Sequence, residues 1–225
     1  MLSILYAFVL TLIAYLLAKP CNKKVPQIPV LVFSMFFVLI LLFCFGISYE
    51  DYMAQTNTIF NRLLGYVTVA LAIPLATMRY DDLPIKALMG ILVFASISAV
   101  ALPMGLAYIL HMNAPDILAF ATRAVTTPIA INIATLLQSE ISLVILIVIL
   151  SGVIGAAFSP FILNRINDER ASGLALGLAA HAIGTAQAWQ RGSVAGRYAA
   201  FGMAVNAVFT AVWLPTFILY LKNMT

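Results

Sequence analysis

Long apolar runs that are nearly free of charge are the feature that most constrains this chain. Eight stretches of the 225 residues approach the roughly 20 apolar residues that a membrane-spanning helix needs. Charged residues make up 9% of the chain, against roughly 25% in soluble domains. The sequence therefore predicts an all-α polytopic transmembrane helical bundle in which some segments are broken or re-entrant. The eight segments are residues 2–18, 28–47, 57–78, 84–110, 115–137, 140–164, 171–189 and 197–222.

The composition gives no support for catalysis or for soluble partners. The net charge of +4 lies in the loops between apolar runs, which indicates topology rather than a nucleic-acid footprint. Cys21 and Cys44 cannot supply a metal site or a disulfide framework. The chain contains neither a phosphate-binding glycine loop nor a nucleophile elbow. We expect no enzyme activity, cofactor, metal or nucleic acid, and the lipid bilayer as the surrounding partner.

Short connections between the segments predict a single integral membrane domain over residues 1–225. A weak internal similarity suggests two structural repeats, 1–110 and 111–225. Ala72-Ile73-Pro74 and Ala182-Ile183-Gly184 are each followed by a basic turn and a long span with a late proline, at an offset of 110 to 112 residues. Transporters are often built from such repeats, with the binding site between them. Chance similarity between apolar stretches is the alternative, and both stay open.

The distribution of Lys and Arg bears on orientation, because cytoplasmic loops carry the excess. If all eight segments cross and the N-terminus is outside, seven Lys and Arg residues are cytoplasmic and four lie outside. If the fifth segment re-enters instead, the counts become eight and three. The loop from Lys19 to Lys24 is cytoplasmic in either case. The sequence does not decide between the two topologies.

The fifth segment carries the most informative string, which runs from Arg123 to Asn132. Pro128 removes a backbone hydrogen bond and disfavours helical geometry just before it, so we expect the helix to break at Thr126 and Thr127. Unpaired backbone groups at membrane depth persist only where protein or a watery cavity satisfies them. The half-helix after Pro128 would point its N–H groups into the gap, where an anion can bind. The alternative is a threonine-stabilised proline kink without function.

Arg123 favours the binding-site interpretation of this break. A cation inside an apolar segment costs several kcal/mol unless it is paired or hydrated. A guanidinium there can hold a substrate carboxylate bidentately. The alternatives are that Arg123 snorkels to the interface or pairs with Asp116 or Glu140. Asn132 is grouped with the substrate-binding candidates, although hydrogen bonding between helices is the commoner role of such a residue.

The seventh segment combines a packing signal with an ionisable group. Gly173 and Gly177 form a face of small residues that permits close helix packing. His181 lies about ten residues into the segment, and its titration range suits proton coupling. A neutral, hydrogen-bonded histidine inside the bundle is the alternative. Gly184 and Thr185 are candidates for a second break and for substrate binding.

A further break is predicted in the third segment, where Pro74 interrupts an apolar run. Because Pro74 lies near the end of that run, it can equally well terminate the helix.

Three strings in this order and spacing resemble the LrgB/CidB family of bacterial membrane proteins. They are Thr-Thr-Pro-Ile-Ala at 126–130, Gly-Leu-Ala-Leu-Gly at 173–177 and His-Ala-Ile-Gly-Thr at 181–185. Similarity at residues 46–49 and 70–75 extends the resemblance over nearly the whole chain. The sequence departs from the family pattern at Thr122-Arg123, where Pro followed by Lys or Gln is common, and at Ala179-Ala180, where a serine is usual.

The resemblance implies a multi-pass protein of the bacterial inner (cytoplasmic) membrane and two different functions. Family members are described as holin-like or antiholin-like regulators of murein hydrolase activity and cell lysis, acting with a small LrgA/CidA-type membrane partner. Relatives are also associated with transport of pyruvate in bacteria and of glycolate or glycerate in plastids. The family also looks similar to small secondary carriers with crossed broken helices, which is an analogy of fold only.

Buried polar groups beside helix breaks favour transport over lesion formation. The sequence hypothesis is a carrier of small monocarboxylates such as pyruvate, glycolate, glycerate or lactate. Arg123 and the N–H groups beyond Pro128 would bind the carboxylate, Thr126 and Thr127 would orient it, and His181 would couple transport to protons. The alternative is a membrane regulator that acts through its small partner and moves no solute. A homodimer is a further expectation.

Overall fold

The computed structural model describes residues 2–25, 28–70, 73, 76 and 85–224. Within these ranges all regular structure is helical, which confirms the predicted all-α class. Contacts group the chain into two compact units, Met1–Ala70 and Leu71–Thr225. Pro74, with its predicted break, lies outside the described residues. The single domain and the two repeats stay predictions.

The first unit contains three helices: α1 (Leu2–Lys24), α2 (Val30–Phe45) and α3 (Tyr49–Ala70). The buried face of α1 is a stripe at helical spacing, Ala7, Leu10, Ala14 and Ala18. Small residues at the interface let apolar helices approach closely. Thr11 Oγ1 and the Tyr52 hydroxyl share a hydrogen bond of 2.7 Å between α1 and α3. This unit carries none of the candidate residues that the structure describes.

The second unit carries all the described candidates. Its helices are α4 (Ile85–Ile109), α5 (Ala114–Ala121), α6 (Thr127–Leu137), α7 (Ile141–Leu163), α8 (Glu169–Arg191) and α9 (Ser193–Met224). Among the described residues of the whole chain, four helical stretches are long and apolar enough to cross a membrane: Leu5–Lys24, Lys86–Ile109, Ile141–Leu163 and Ser193–Asn223. The chain is therefore a multi-pass membrane protein.

The fifth predicted segment does not cross: it enters and returns. Helices α5 and α6 span only about 12 and 16 Å at 1.5 Å per residue, which is about half of a bilayer core of roughly 30 Å. Ser139 Oγ, just after α6, donates to the carbonyl oxygen of Pro115 at 3.0 Å. A continuous helix would separate these residues by about 36 Å. Helices α5 and α6 are thus the limbs of one re-entrant hairpin, which we call hairpin 1.

Helix α8 is a second re-entrant hairpin, hairpin 2. Its backbone leaves helical geometry at Ala180 and His181. The chain folds back so far that a Cβ on Gly184 would collide with the carbonyl oxygen of Leu176. At its base, the Glu169 carboxylate lies beside Gly192, with Oε2 2.9 Å from the position of a built Cβ. The entering limb, Glu169–Ala180, and the returning limb, Ala182–Arg191, therefore lie side by side.

Two sequence expectations change here. The reversal of hairpin 2 falls at Ala180 and His181 rather than at Gly184 and Thr185, because Gly184 is the residue that lets the returning limb pass the Leu176 carbonyl. The expected crossed broken helices are replaced by two hairpins, since each break reverses the chain instead of bending it.

The two hairpins enter from opposite ends of α7. Hairpin 1 ends at Leu137, just before α7 begins, and hairpin 2 starts at Glu169, just after α7 ends. Helix α4 begins near hairpin 2, because Leu88 packs with Leu174 of its entering limb. The end of α9 lies near the base of hairpin 1, since Ile218 and Ala114 line one small cavity.

This arrangement sorts the basic residues of the second unit by side. Within residues 85–224, five lie at the hairpin 2 end and one at the other, with Arg123 between. The five are Lys86, Arg165, Arg170, Arg191 and Arg197, and the sixth is Lys222. A helix crossing at residues 171–189 would have put the arginines before and after it on opposite sides. By the excess of Lys and Arg in cytoplasmic loops, this distribution predicts that the base of hairpin 2 faces the cytoplasm.

Cysteine labelling tests this topology in a Cys21→Ser, Cys44→Ser background. We expect Asn167→Cys and Gln190→Cys to react with a membrane-impermeant maleimide from the same, cytoplasmic side. Asn223→Cys should react only from the other side. Right-side-out and inverted vesicles provide the two measurements, and all three positions are exposed. Labelling of positions 167 and 190 from opposite sides would disprove the hairpin.

Candidate functional site

The turns of the two hairpins, here called tip 1 (Thr122–Thr126) and tip 2 (Ala180–His181), meet on the middle of α7. Arg123 of tip 1 contacts Ser151, and His181 of tip 2 contacts Val148. Gly152 lies eleven residues, or about 16 Å, from either end of α7. The two breaks therefore share one depth, near the centre of the membrane.

Tip 1 is held by hydrogen bonds within the hairpin and to α9. Thr122 ends α5, and its hydroxyl donates to the Ala119 carbonyl at 3.0 Å. Asn206 Nδ2 on α9 donates to the Ala124 carbonyl at 3.0 Å. Pro128 occupies the first turn of α6, where its missing N–H costs no helical bond. These contacts fix a five-residue turn at a depth where water is scarce.

Two buried oxygen atoms at tip 1 have no hydrogen-bond partner among the described residues: Thr126 Oγ1 and Asn206 Oδ1. Asn206 is fixed in orientation, because only its NH₂ group can donate to the Ala124 carbonyl. Thr126 is the N-cap residue of α6 but does not cap it with its side chain. An unsatisfied buried polar atom costs about 1–3 kcal/mol. We therefore expect a water molecule or a polar group of a ligand to form a hydrogen bond with each of these oxygens.

Tip 2 depends on a histidine in an unusual backbone conformation. His181 has φ 39° and ψ −126°, values close to the glycine-favouring first position of a type II′ turn. A non-glycine residue there costs about 1–3 kcal/mol. His181 is buried, and its Nε2 lies 3.0 Å from the Val148 carbonyl. Because a carbonyl only accepts, Nε2 carries the proton, and Nδ1 is left to bind or release a second one.

Glycines of α7 make room for tip 2. A Cβ built on Gly152 would lie 2.6 Å from His181 Cε1, and one on Gly155 would lie 2.9 Å from Ala180 Cβ. The entering limb packs equally closely on α9, since Cβ atoms on Gly173 and Gly177 would collide with the carbonyls of Ala195 and Ala199. This last contact confirms the predicted packing face.

Arg123 is half-buried, and the structure shows no carboxylate partner for it among the described residues. Its Nη1 donates to Ser151 Oγ at 3.3 Å. Asp116 lies in the first turn of α5, and Glu140 caps α7, both at the base of hairpin 1 rather than at its tip. Arg123 and the His181 ring are close enough to interact electrostatically. The site is thus electropositive.

The structure separates the predicted site residues into groups. Arg123 and His181 lie together on α7, whereas Thr126 is buried at the start of α6 with its hydroxyl unpartnered among the described residues. Thr127 and Pro128 form the half-buried first turn of α6. The remaining three do not lie at the tips. Asn132 is exposed further along α6, Gly184 packs against Leu176, and the Thr185 hydroxyl donates to Met203 Sδ at 3.6 Å.

Sequence reasoning missed the surface of α7 on which both tips lie. Ser151, Gly152, Gly155 and Ala156 are small residues that recur within six positions of a strongly apolar span. Small residues at such spacing mark close helix contact in membranes. That signal was available, but it does not say which segment makes the contact.

Comparisons with known proteins agree over the whole chain. The model of the LrgB-like family matches residues 11–220. The holin-like protein CidB of Staphylococcus aureus (strain N315) is 30% identical over 224 residues, covering 96% of both chains. Two uncharacterized proteins of Bacillus subtilis (strain 168) are similarly related. YwbG is 30% identical over 92% of this chain and 93% of its own, and YxaC is 32% identical over 92% and 91%. No solved structure matches.

Substitution of Gly152 tests the packing of tip 2 on α7. We expect Gly152→Ala to displace the His181 ring and break its bond to Val148, lowering stability by about 1–3 kcal/mol, as overpacking does. Gly90→Ala on α4 is the matched control, because a Cβ there meets nothing within 4 Å. Thermal unfolding in detergent gives the comparison. Equal melting temperatures for both variants would contradict the described contact.

Proposed function

The chain belongs to the LrgB-like family, and on that premise we propose that it is a secondary carrier of small monocarboxylates in the bacterial cytoplasmic membrane. Pyruvate, glycolate, glycerate and lactate are the substrates that we propose to test. The bacterial relatives support the location, and the arrangement at the tips supports the chemistry.

The observation that carries the proposal is Arg123 at the meeting point of two re-entrant hairpins. An arginine at the centre of a membrane costs several kcal/mol unless it is paired or hydrated. The structure gives it one neutral partner, Ser151, and no acid among the described residues. Most N–H groups of the Arg123 guanidinium therefore have no partner among the described residues. A carboxylate can bind two of them at once.

The backbone adds positive potential at the same depth. Helix α6 starts at Thr127 without a side-chain cap, so the N–H groups of Thr127 and Ile129 face the tip. The returning limb of hairpin 2 likewise begins at mid-depth, just after His181. Transporters with discontinuous helices use such half-helix N-termini to bind anionic groups. We propose that Thr126 and the first turn of α6 receive the substrate as it passes Arg123.

His181 supplies the proposed proton coupling. Its Nε2 stays bonded to Val148 in both protonation states, so a proton can enter or leave at Nδ1 without opening tip 2. The charged group that faces it is Arg123. A bound carboxylate would offset that repulsion, so anion and proton would favour each other's binding.

A second candidate function rests on the names of the relatives. Several are called holin-like protein CidB, which favours a regulator of murein hydrolase activity and lysis that acts with a small LrgA/CidA-type partner. A homodimer fits either proposal. A regulator would not require Arg123, whereas the carrier would, so substitution of Arg123 distinguishes the two functions.

Uptake into proteoliposomes tests the carrier. Purified protein should take up labelled pyruvate and glycolate in a saturable manner. Arg123→Ala should reduce uptake at low substrate roughly 10- to 100-fold, the loss of one or two charge-assisted hydrogen bonds. Arg123→Lys should recover part of it. Arg165→Ala, an exposed arginine at the base of hairpin 2, should behave as wild type.

The outcomes decide between the two functions. No uptake above empty liposomes, from protein shown to be folded, would contradict the carrier acting alone. A lysis phenotype that requires the small partner and survives Arg123→Ala would then support the regulator.

Comparison of the two histidines of the chain tests proton coupling. Both have positive φ, 56° at His111 and 39° at His181. Asparagine tolerates this region of φ and does not titrate. An inward proton gradient should stimulate uptake by wild type and by His111→Asn. His181→Asn should keep basal uptake and lose the stimulation. Stimulation that persists in His181→Asn would remove His181 from the coupling mechanism.

A further inference from the structure

Arg123 lines a cavity of about 600 Å³ that lies against α4, α5, α7 and Ala179, near the end of the entering limb of hairpin 2. Among the described residues that line it, only Arg123 and Ser151 carry polar side chains. The walls are aliphatic or aromatic, with Leu102 and Leu106 from α4, Leu150 and Ile154 from α7, and Phe120 from α5. The cavity is therefore an apolar chamber, open along exposed side chains such as Leu102 and Leu106, with one cation and one hydroxyl in its lining.

The chamber is larger and less polar than a three-carbon acid requires. Its volume lies within the roughly 300–1,000 Å³ of pockets that enclose drug-sized molecules. With the carboxylate on Arg123, the keto oxygen of pyruvate or the hydroxyl of glycolate would find at most the Ser151 hydroxyl as a side-chain partner, and the rest of the lining offers only apolar surface. A polar group without a partner loses affinity there, whereas a hydrocarbon chain gains it.

From this geometry we infer that the chamber binds monocarboxylates with an apolar chain of several carbons, unbranched or branched. The carboxylate would bind Arg123, and the chain would lie along Leu106, Leu150 and Ile154. The inference rests on the proposed carboxylate site and names a broader substrate class for it. Charge selects this occupant over a neutral helix or lipid, since the guanidinium has no acid among the described residues. The matching ligand has one negative charge and one apolar body.

A chain-length series tests the inference. Acetate, butyrate and hexanoate are compared as competitors of labelled pyruvate uptake and, independently, by calorimetric titration of protein in nanodiscs. Burial of one methylene strengthens binding about threefold to fourfold, so the four additional methylenes of hexanoate should make it bind roughly 80- to 250-fold more tightly than acetate. Hexan-1-ol, which has the chain without the charge, should not compete, and Arg123→Ala should abolish the dependence on chain length.

Two leucines one turn apart on α7 provide matched variants. Leu150 lines the chamber, whereas Leu146 does not, and the two are similarly exposed, at 46% and 53%. Leu150→Trp should weaken hexanoate at least tenfold and leave acetate within twofold. Leu146→Trp should leave both unchanged.

The outcomes separate this inference from the carrier function. Saturable pyruvate uptake with equal affinity for acetate and hexanoate would overturn the apolar chamber alone. Absence of binding and uptake for every acid would overturn both. Chain-dependent binding without uptake would support the chamber and overturn the carrier. A phospholipid retained in native mass spectra that hexanoate fails to displace would overturn the inference in favour of a lipid occupant.

Discussion

The second unit depends on one constraint: a helix that breaks inside a membrane must find partners for its freed polar groups within the protein. Two breaks are brought to the same level of α7, where His181 donates to Val148, Arg123 donates to Ser151 and Asn206 donates to Ala124. The two buried oxygens that have no partner among the described residues, on Thr126 and Asn206, belong to the same region. The polar groups freed by the two breaks therefore lie together in one small region of the second unit.

This arrangement requires close approach between backbones, and glycines lie at the points where it occurs. Gly152 and Gly155 admit tip 2, and Gly173 and Gly177 admit α9, whereas Gly90 and Gly105 on α4 face open space. Hairpin 2 has no glycine at its turn, so His181 itself takes the positive φ. A strained histidine held by a hydrogen bond to α7 is fixed both in position and in tautomer. That rigidity suits a group whose remaining nitrogen is to exchange a proton.

The sequence predicted the broken fifth segment because Pro128 and Arg123 are local anomalies in an apolar run. It did not predict the reversal at Ala180 and His181, since neither residue type breaks helices, and the space for the turn is provided by Gly152 and Gly155, about thirty residues earlier in the chain. Nor did it show that Pro115 meets Ser139, a contact that depends on the path of the chain between them. Composition and prolines identified which residues are unusual, and only tertiary contacts showed that Arg123 and His181 belong together while Asn132 and Thr185 do not.

Opposed entry of the two hairpins has a consequence for how a carrier of this kind would work. Tip 1 is reached from one end of α7 and tip 2 from the other, yet both rest on the same residues, Val148 to Gly155. Opening either hairpin would expose Arg123 to one side of the membrane while the other hairpin still closed it from the opposite side. The basic residues at the base of hairpin 2 predict that this end faces the cytoplasm. Alternating access would then require only the movement of short half-helices, each anchored at its own membrane face, around a cation that stays in place.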